Sequence, residues 1–324
     1  VDNRWIATGE CNVIAFVFPG QGSQHVGMGK SLAEQFDICR ETLGQADSII
    51  GESLTALCFG GPEEALALTK NTQPAVLAVS IAAYRLLESR GIKPAFVAGH
   101  SLGEYSAHVA AGTISFADAL RTVRRRGQYM QDANPVGSGA MAAVLGLDES
   151  TVRTACEEVA YGEVVGPANI NAPGQIVIAG SAEAVQRASE RVKELGARRV
   201  LRLPVSAPFH CSLMKSAEER LEPELRRLIV SDPKVPVIAN VDAEAKTDAR
   251  SSLDALIQQV SAPVRWEAVV RRLLSSGVNT FVEVGPGTVL NGLVKKIDRK
   301  ARAASFSSPE GLSQVETLCN EVHA

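Results

Sequence analysis

A chain of 324 residues, 45% of them hydrophobic and with a formal net charge of −3, can bury a sizeable core as one large domain or as a large one and a small one. That charge gives no reason to expect a nucleic-acid or anionic-membrane partner, and no apolar run approaches the ~18 residues of a membrane span. Six cysteines at 11, 39, 58, 156, 211 and 319 have no close paired spacing, which points to scattered reduced thiols and the cytoplasm, not to a disulfide framework or a metal site.

Residues 1–12 lack the organisation of a signal peptide and read as a leader. Val13 to Phe18 is a continuous apolar run, typical of a central parallel strand. It empties into Pro19-Gly20-Gln21-Gly22-Ser23-Gln24, whose glycines let backbone amides approach a ligand; the lysine and hydroxyl of a phosphate loop are missing. Residues 31–60 carry broken helical periodicity. Thr72-Gln73-Pro74 opens a helix through Glu88, with Pro74 near its first turn and Gly91 ending it.

Ala95 to Ala98 is a short buried strand, and a helix begins at Leu102. Between them Gly99-His100-Ser101-Leu102-Gly103 puts a serine on a strand-to-helix elbow with a glycine two residues to either side. Such an elbow exposes the serine oxygen above the sheet and aims helix amides at it, although a glycine-flanked serine can also be an ordinary turn. Ser115 caps a helix from Phe116 to about Asp132. Its Arg124, Arg125 and Arg126 cover roughly 200° of arc, so they cannot all share one solvated face.

After the linker 135–139 the pattern changes to strand 140–147, helix 148–159, strand 164–171, strand 175–179, helix 181–195 and strand 198–203. This β-α-β-β-α-β order is a ferredoxin-like unit, inserted as a small domain over 138–203. The large domain then comprises 13–137 and 204–302. It resumes with helix 214–228, strand 235–241, helix 264–276, strand 280–284 and helix 289–297, leaving 303–324 as a loosely attached tail. The expected class is α/β, an α/β-hydrolase-like large domain with a mostly parallel sheet plus the ferredoxin-like insertion.

A nucleophilic serine needs a base, and five histidines are available. His323 lies in the tail. His108 is two turns along the elbow helix, His100 leaves the elbow in another direction, and His25 shapes the glycine loop. His210 follows a strand in an irregular segment, where α/β proteins place catalytic groups; a structural histidine is the alternative. Its orienting partner is either an acid, Asp242 or Glu283, or a backbone carbonyl in the loop 258–261.

The chain resembles the malonyl-CoA:acyl-carrier-protein transacylases of type II fatty acid synthesis. The resemblance spans about residues 13–300 and rests on motifs in order: residues 18–24, 99–105, Arg126-Gly127, 139–143, 169–175, 206–210, 240–242 and 283–287. It implies that Ser101 is acylated, that His210 is its base, and that the backbone amides of Gln21 and Leu102 form the oxyanion hole. It also implies that Gln259 holds His210 through its backbone carbonyl and that Arg126 clamps the malonyl carboxylate.

Asn169 and Asn171 would line the cleft from the small domain, Met130 and Phe209 would shape the acyl pocket, and Arg198 and Arg199 would lie near the phosphopantetheine or the carrier. Phe209 favours malonyl over methylmalonyl. The implied substrates are malonyl-CoA and the phosphopantetheine thiol of acyl carrier protein, with no bound cofactor or metal, no nucleic acid or membrane partner, and a monomeric enzyme. A serine thioesterase or hydrolase, an acyltransferase of a specialised polyketide-type pathway, and a non-catalytic binding module are the rival readings.

Overall fold

A computed structural model describes residues 12–320, Val136 and Ser206 excepted; all but the last residue of the expected leader, and His323, lie outside the described residues. One sheet is built from β1 (Ile14–Phe18), β2 (Phe96–Gly99), β7 (Val237–Ile238), β8 (Ala245–Lys246), β9 (Thr280–Val284) and β10 (Arg302–Phe306), in the order β10-β9-β1-β2-β7-β8. The pairs are parallel except β7–β8. Ala15 to Phe18 are wholly buried, as a strand covered on both faces must be. Because Phe18 pairs with Gly99, the loop after β1 and the elbow after β2 open side by side at the carboxyl edge of the sheet. Open α/β sheets place their ligands at that edge.

The elbow is tight because backbone crosses backbone. A Cβ on Gly99 would lie 1.9 Å from the carbonyl carbon of Gly103, and one on Gly103 would lie 2.0 Å from the Phe18 oxygen. Only a hydrogen fits at either place.

The helix Thr69–Ser89 is buried on nearly every side from Thr72 to Tyr84, which marks it as a core helix. It starts earlier than expected, and Pro74 lies inside it, not in its first turn. Proline supplies no N–H to the Lys70 carbonyl, and that carbonyl accepts from Arg124 Nη1 at 3.1 Å. Arg124 is thereby partly covered, while Arg125 points outward to Glu224.

The second sheet contains β3 (Gly139–Leu145), β4 (Val165–Ala172), β5 (Gln175–Ser181) and β6 (Arg199–Arg202), ordered β4-β5-β3-β6 with every pair antiparallel. Helices Glu149–Glu158 and Ala182–Glu194 complete the ferredoxin-like arrangement. It is fastened to the large layer by main chain: Ile170 donates to the Val264 carbonyl at 2.9 Å and Val264 to that of Ala168 at 2.8 Å. Strand β4 therefore stands over the carboxyl edge of the main sheet.

One expectation is corrected. Residues 303–320 are not a loose tail: β10 pairs with β9 along its length, Ala304 and Phe306 are buried, and the helix Gly311–Asn320 packs on it. The Leu318 and Cys319 carbonyls accept from Asn12 Nδ2. Arg-Ala-Ala-Ser-Phe has one large apolar side chain and becomes a strand only because β9 offers an edge.

Gly103→Ala is expected to lower stability by about 1–3 kcal/mol or more, since an inserted methyl meets main chain that cannot give way. Gly44→Ala, in the helix Asp37–Ile50 with nothing within 4 Å of an added Cβ, should instead gain ~0.5–1 kcal/mol. Urea unfolding of both variants checks the contrast; similar shifts in both would contradict it.

Candidate active site

Ser101 caps the elbow helix Leu102–Ala110 with φ 52° and ψ −109°, a region that costs a residue with a side chain about 1–3 kcal/mol. Asn240 holds it there. The Asn240 Oδ1 accepts from the Ser101 amide at 2.7 Å, and its Nδ2 donates to the Gly99 carbonyl at 2.7 Å. Of the described residues, only Ser101, Tyr161, His210 and Ala243 combine a side chain with positive φ. Two of these four, Ser101 and His210, line the same cavity.

His210 Nε2 lies 2.7 Å from Ser101 Oγ. On the other side of the ring, Nδ1 faces the carbonyls of Gln259 at 3.0 Å and Ala262 at 3.2 Å. Two acceptors there fix the proton on Nδ1 and leave the Nε2 lone pair for the serine. Burial, and then the Arg126 charge, push His210 down to about 3, so the imidazole is neutral with its Nε2 lone pair unprotonated. The orienting group is thus a carbonyl, not an acid. Asp242 pairs with Lys246, and Glu283 accepts from the amides of Leu290 and Asn291 at the start of the helix Val289–Ile297.

Arg126 is 1% exposed. Its Nη1 donates to Gln73 Oε1 at 2.9 Å, and its Nη2 to Gln259 Oε1 at 2.8 Å and to Ser101 Oγ at 3.2 Å. Each of these acceptors is neutral. Gln259 therefore does two things, taking the His210 proton on its main chain and the guanidinium on its side chain. Its Nε2 donates to the Ser101 carbonyl at 2.9 Å and to Glu104 Oε2 at 2.8 Å.

A cavity of about 110 Å³ opens on this group, with Gln21, Leu102, Met130, Met141, Asn169 and Phe209 in its wall. Gln21 is tied to the core helix through Thr69 Oγ1. Asn169 Oδ1 has no hydrogen-bond partner among the described residues, whereas Asn171 Oδ1 is 2.9 Å from His100 Nε2. His100 and Asn171 thus join the elbow to β4.

Arg198 and Arg199 are exposed and do not line the cavity; Leu203 and Val205, further along that strand's exit, do. His108 is buried and outside the site, and burial holds it down to about 3. Gln73, Glu104 and Asn240 were not singled out as functional in the sequence. In the sequence Gln73 belongs to a helix start, and nothing local marks a glutamine or glutamate as buried.

An elbow serine, a neutral histidine oriented by main-chain carbonyls, and a buried guanidinium facing the same cavity define an acyl-transfer centre. The family model described as acyl transferase domain matches residues 15–308. The chain is 50% identical to the malonyl CoA-acyl carrier protein transacylase of Salmonella typhimurium over 304 residues, 94% of this chain and 98% of that one.

Among solved structures, an acyl carrier protein S-malonyltransferase from Vibrio cholerae superposes with a TM-score of 0.92 at 48% identity, covering 93% of this chain and 99% of that one. A malonyl-transacylase solved in complex with its type II PKS acyl-carrier protein gives 0.93 at 45% identity, covering 96% and 100%. The chain belongs to the malonyl-CoA:acyl-carrier-protein transacylase family.

The strain at Ser101 can be measured. Glycine ordinarily destabilises relative to alanine; at this φ the order should invert, with Ser101→Gly about 1 kcal/mol more stable than Ser101→Ala. Denaturant unfolding of the two variants reads the difference, and the ordinary order would mean that the elbow is unstrained.

Proposed function

We propose that the chain moves the malonyl group from malonyl-CoA to the phosphopantetheine thiol of acyl carrier protein through an ester on Ser101. Ser101 Oγ attacks the thioester carbonyl as His210 Nε2 takes its proton. The backbone amides of Gln21 and Leu102 receive the developing oxyanion; neither donates to another protein group among the described residues. The C–S bond breaks, coenzyme A leaves with the proton returned by His210, and malonyl remains on Ser101. The carrier's thiol then gives its proton to His210 and attacks the ester, and Ser101 recovers the proton as it departs.

The observation that carries this reading is the guanidinium of Arg126, buried among neutral acceptors beside Ser101. A buried cation that touches no anion is poorly compensated, and the free carboxylate of a malonyl group completes it with a planar, two-pronged contact. A general thioesterase has no use for it. Met130 and Phe209 shape the acyl pocket, and Asn169 offers its unpaired oxygen to a substrate N–H. Arg198 and Arg199 lie on the exposed edge of the small sheet, where they suit an acidic carrier surface more than the pantetheine arm. The cytoplasm is the compartment that this substrate pair implies. Among the described residues no helix is long and apolar enough to cross a membrane.

Arg126→Ala is expected to lower kcat/KM for malonyl-CoA by roughly ten- to 150-fold, the equivalent of ~1.5–3 kcal/mol for charge-assisted hydrogen bonds, and to affect acetyl-CoA far less. Arg126→Lys should restore part of the preference, because it keeps the charge and loses the fork. Equal losses on both substrates would make Arg126 a structural residue.

A further inference from the structure

Glu104 has no part in the steps above, yet it is wired to the clamp. It lies in the first turn of the elbow helix, fully buried. Its Oε2 accepts from Gln259 Nε2 at 2.8 Å and from the Asn240 amide at 3.0 Å, while Oε1 has no hydrogen-bond partner among the described residues. The Gln259 amide thus stands between a carboxylate, which when ionised can only accept, and a guanidinium, which can only donate. Glu104 and Arg126 form a buried pair of opposite charges separated by one side-chain amide.

A second anion upsets that balance. A carboxylate seated directly on Arg126 claims the guanidinium's field, and two carboxylates that share one buried cation do not both stay ionised cheaply. The oxygen of Glu104 that nothing satisfies is the place for a proton. We propose that Glu104 takes up a proton from solvent on Oε1 when the malonyl carboxylate seats on Arg126, so that the preference for a carboxylated acyl group weakens as pH rises. This inference rests on the reading of Arg126 as a carboxylate clamp.

The surroundings agree with the direction. Burial, with a smaller push from Asp242 on the turn after β7, raises Glu104 to about 7 against the pull of its hydrogen bonds from Gln259 and Asn240 and of the Arg126 charge. On its own helix Tyr105 is raised to about 12 and stays neutral. Elsewhere in the cavity wall, burial lowers His100, and His210 is held down to about 3, below the range concerned.

The sign follows from linkage. Below about pH 7 Glu104 already carries its proton, and malonyl binds without uptake. Above it, each bound malonyl group brings in one proton, and binding weakens by up to about tenfold per pH unit. Acetyl-CoA bears the same coenzyme phosphates and no carboxylate, so the ratio of the two substrates cancels the coenzyme's own titration.

The test is the ratio of kcat/KM for malonyl-CoA to that for acetyl-CoA from about pH 6 to 9, in the unaltered protein and in Glu104→Gln. The ratio is expected to fall by about tenfold or more above pH 7 in the unaltered protein, and to stay flat in Glu104→Gln. A flat ratio in the unaltered protein overturns the proposal, as does a slope that survives in Glu104→Gln.

Because residue 104 is in the core, a second measurement leaves it untouched. Malonyl-CoA is titrated calorimetrically into Ser101→Ala at about pH 8, in two buffers of different ionisation enthalpy. Uptake approaching one proton for malonyl-CoA and none for acetyl-CoA is expected; equal uptake for both overturns the proposal. Arg126→Ala keeps the two readings apart. If it leaves the substrate ratio unchanged near pH 6.5, the clamp itself fails. If it lowers the ratio while the unaltered protein shows no pH dependence, the proton coupling alone fails.

Discussion

A buried guanidinium that touches no anion is the constraint around which this molecule is arranged. Taking such a charge out of water costs several kcal/mol even after relaxation, and here the compensation comes from three neutral oxygens on three different elements. Gln73 must come from the core helix, Gln259 from the end of the helix Ala249–Gln258, and Ser101 from the elbow. The core helix is apolar on nearly every side, so it is fixed by packing and carries Gln73 with it. Arg126 in turn is one-sided by necessity: its neighbours Arg124 and Arg125 find Glu52 and Glu224 at the surface, and the next position on the helix arc has only the interior to face.

The serine depends on a second constraint, the contact of main chain with main chain at the elbow. Gly99 and Gly103 let the helix press on the ends of β1 and β2, and Asn240 locks the strained turn from the side. The small sheet closes the cavity from above. It is held by the Val264 bridge and by the His100–Asn171 hydrogen bond, so any movement of β4 is felt directly at the residue before Ser101. Gln259 joins the two constraints, since its carbonyl orients His210 while its amide serves Arg126 and Glu104.

Much of this was legible in the sequence because it is local. Glycines spaced two residues from a serine, between an apolar run and a helical one, point to an elbow or an ordinary turn without any tertiary knowledge, and the β-α-β-β-α-β order is a matter of periodicity. The position of His210 after a strand favours it among the histidines, and its assignment as base, like the choice of Arg126 among its neighbours, needs the family resemblance. What stayed hidden is what only tertiary contact decides. Glu104 and Gln73 sit in helical stretches where polar residues are ordinarily solvated, and burial turns them into parts of the site. Strand β10 was missed because its pairing partner, not its composition, makes it a strand. Asp242 and Glu283 looked like triad acids until Lys246 and a helix amino end proved to be their partners.

The covalent intermediate is the point at which the central claim is most exposed. The protein is incubated with malonyl-CoA in the absence of carrier, then analysed by intact mass and peptide mapping. One malonyl group is expected, on the peptide bearing Ser101, and it should discharge when carrier protein with its phosphopantetheine thiol is added. A stable malonyl group on another side chain, or transfer to the carrier that proceeds in Ser101→Ala, would contradict the account.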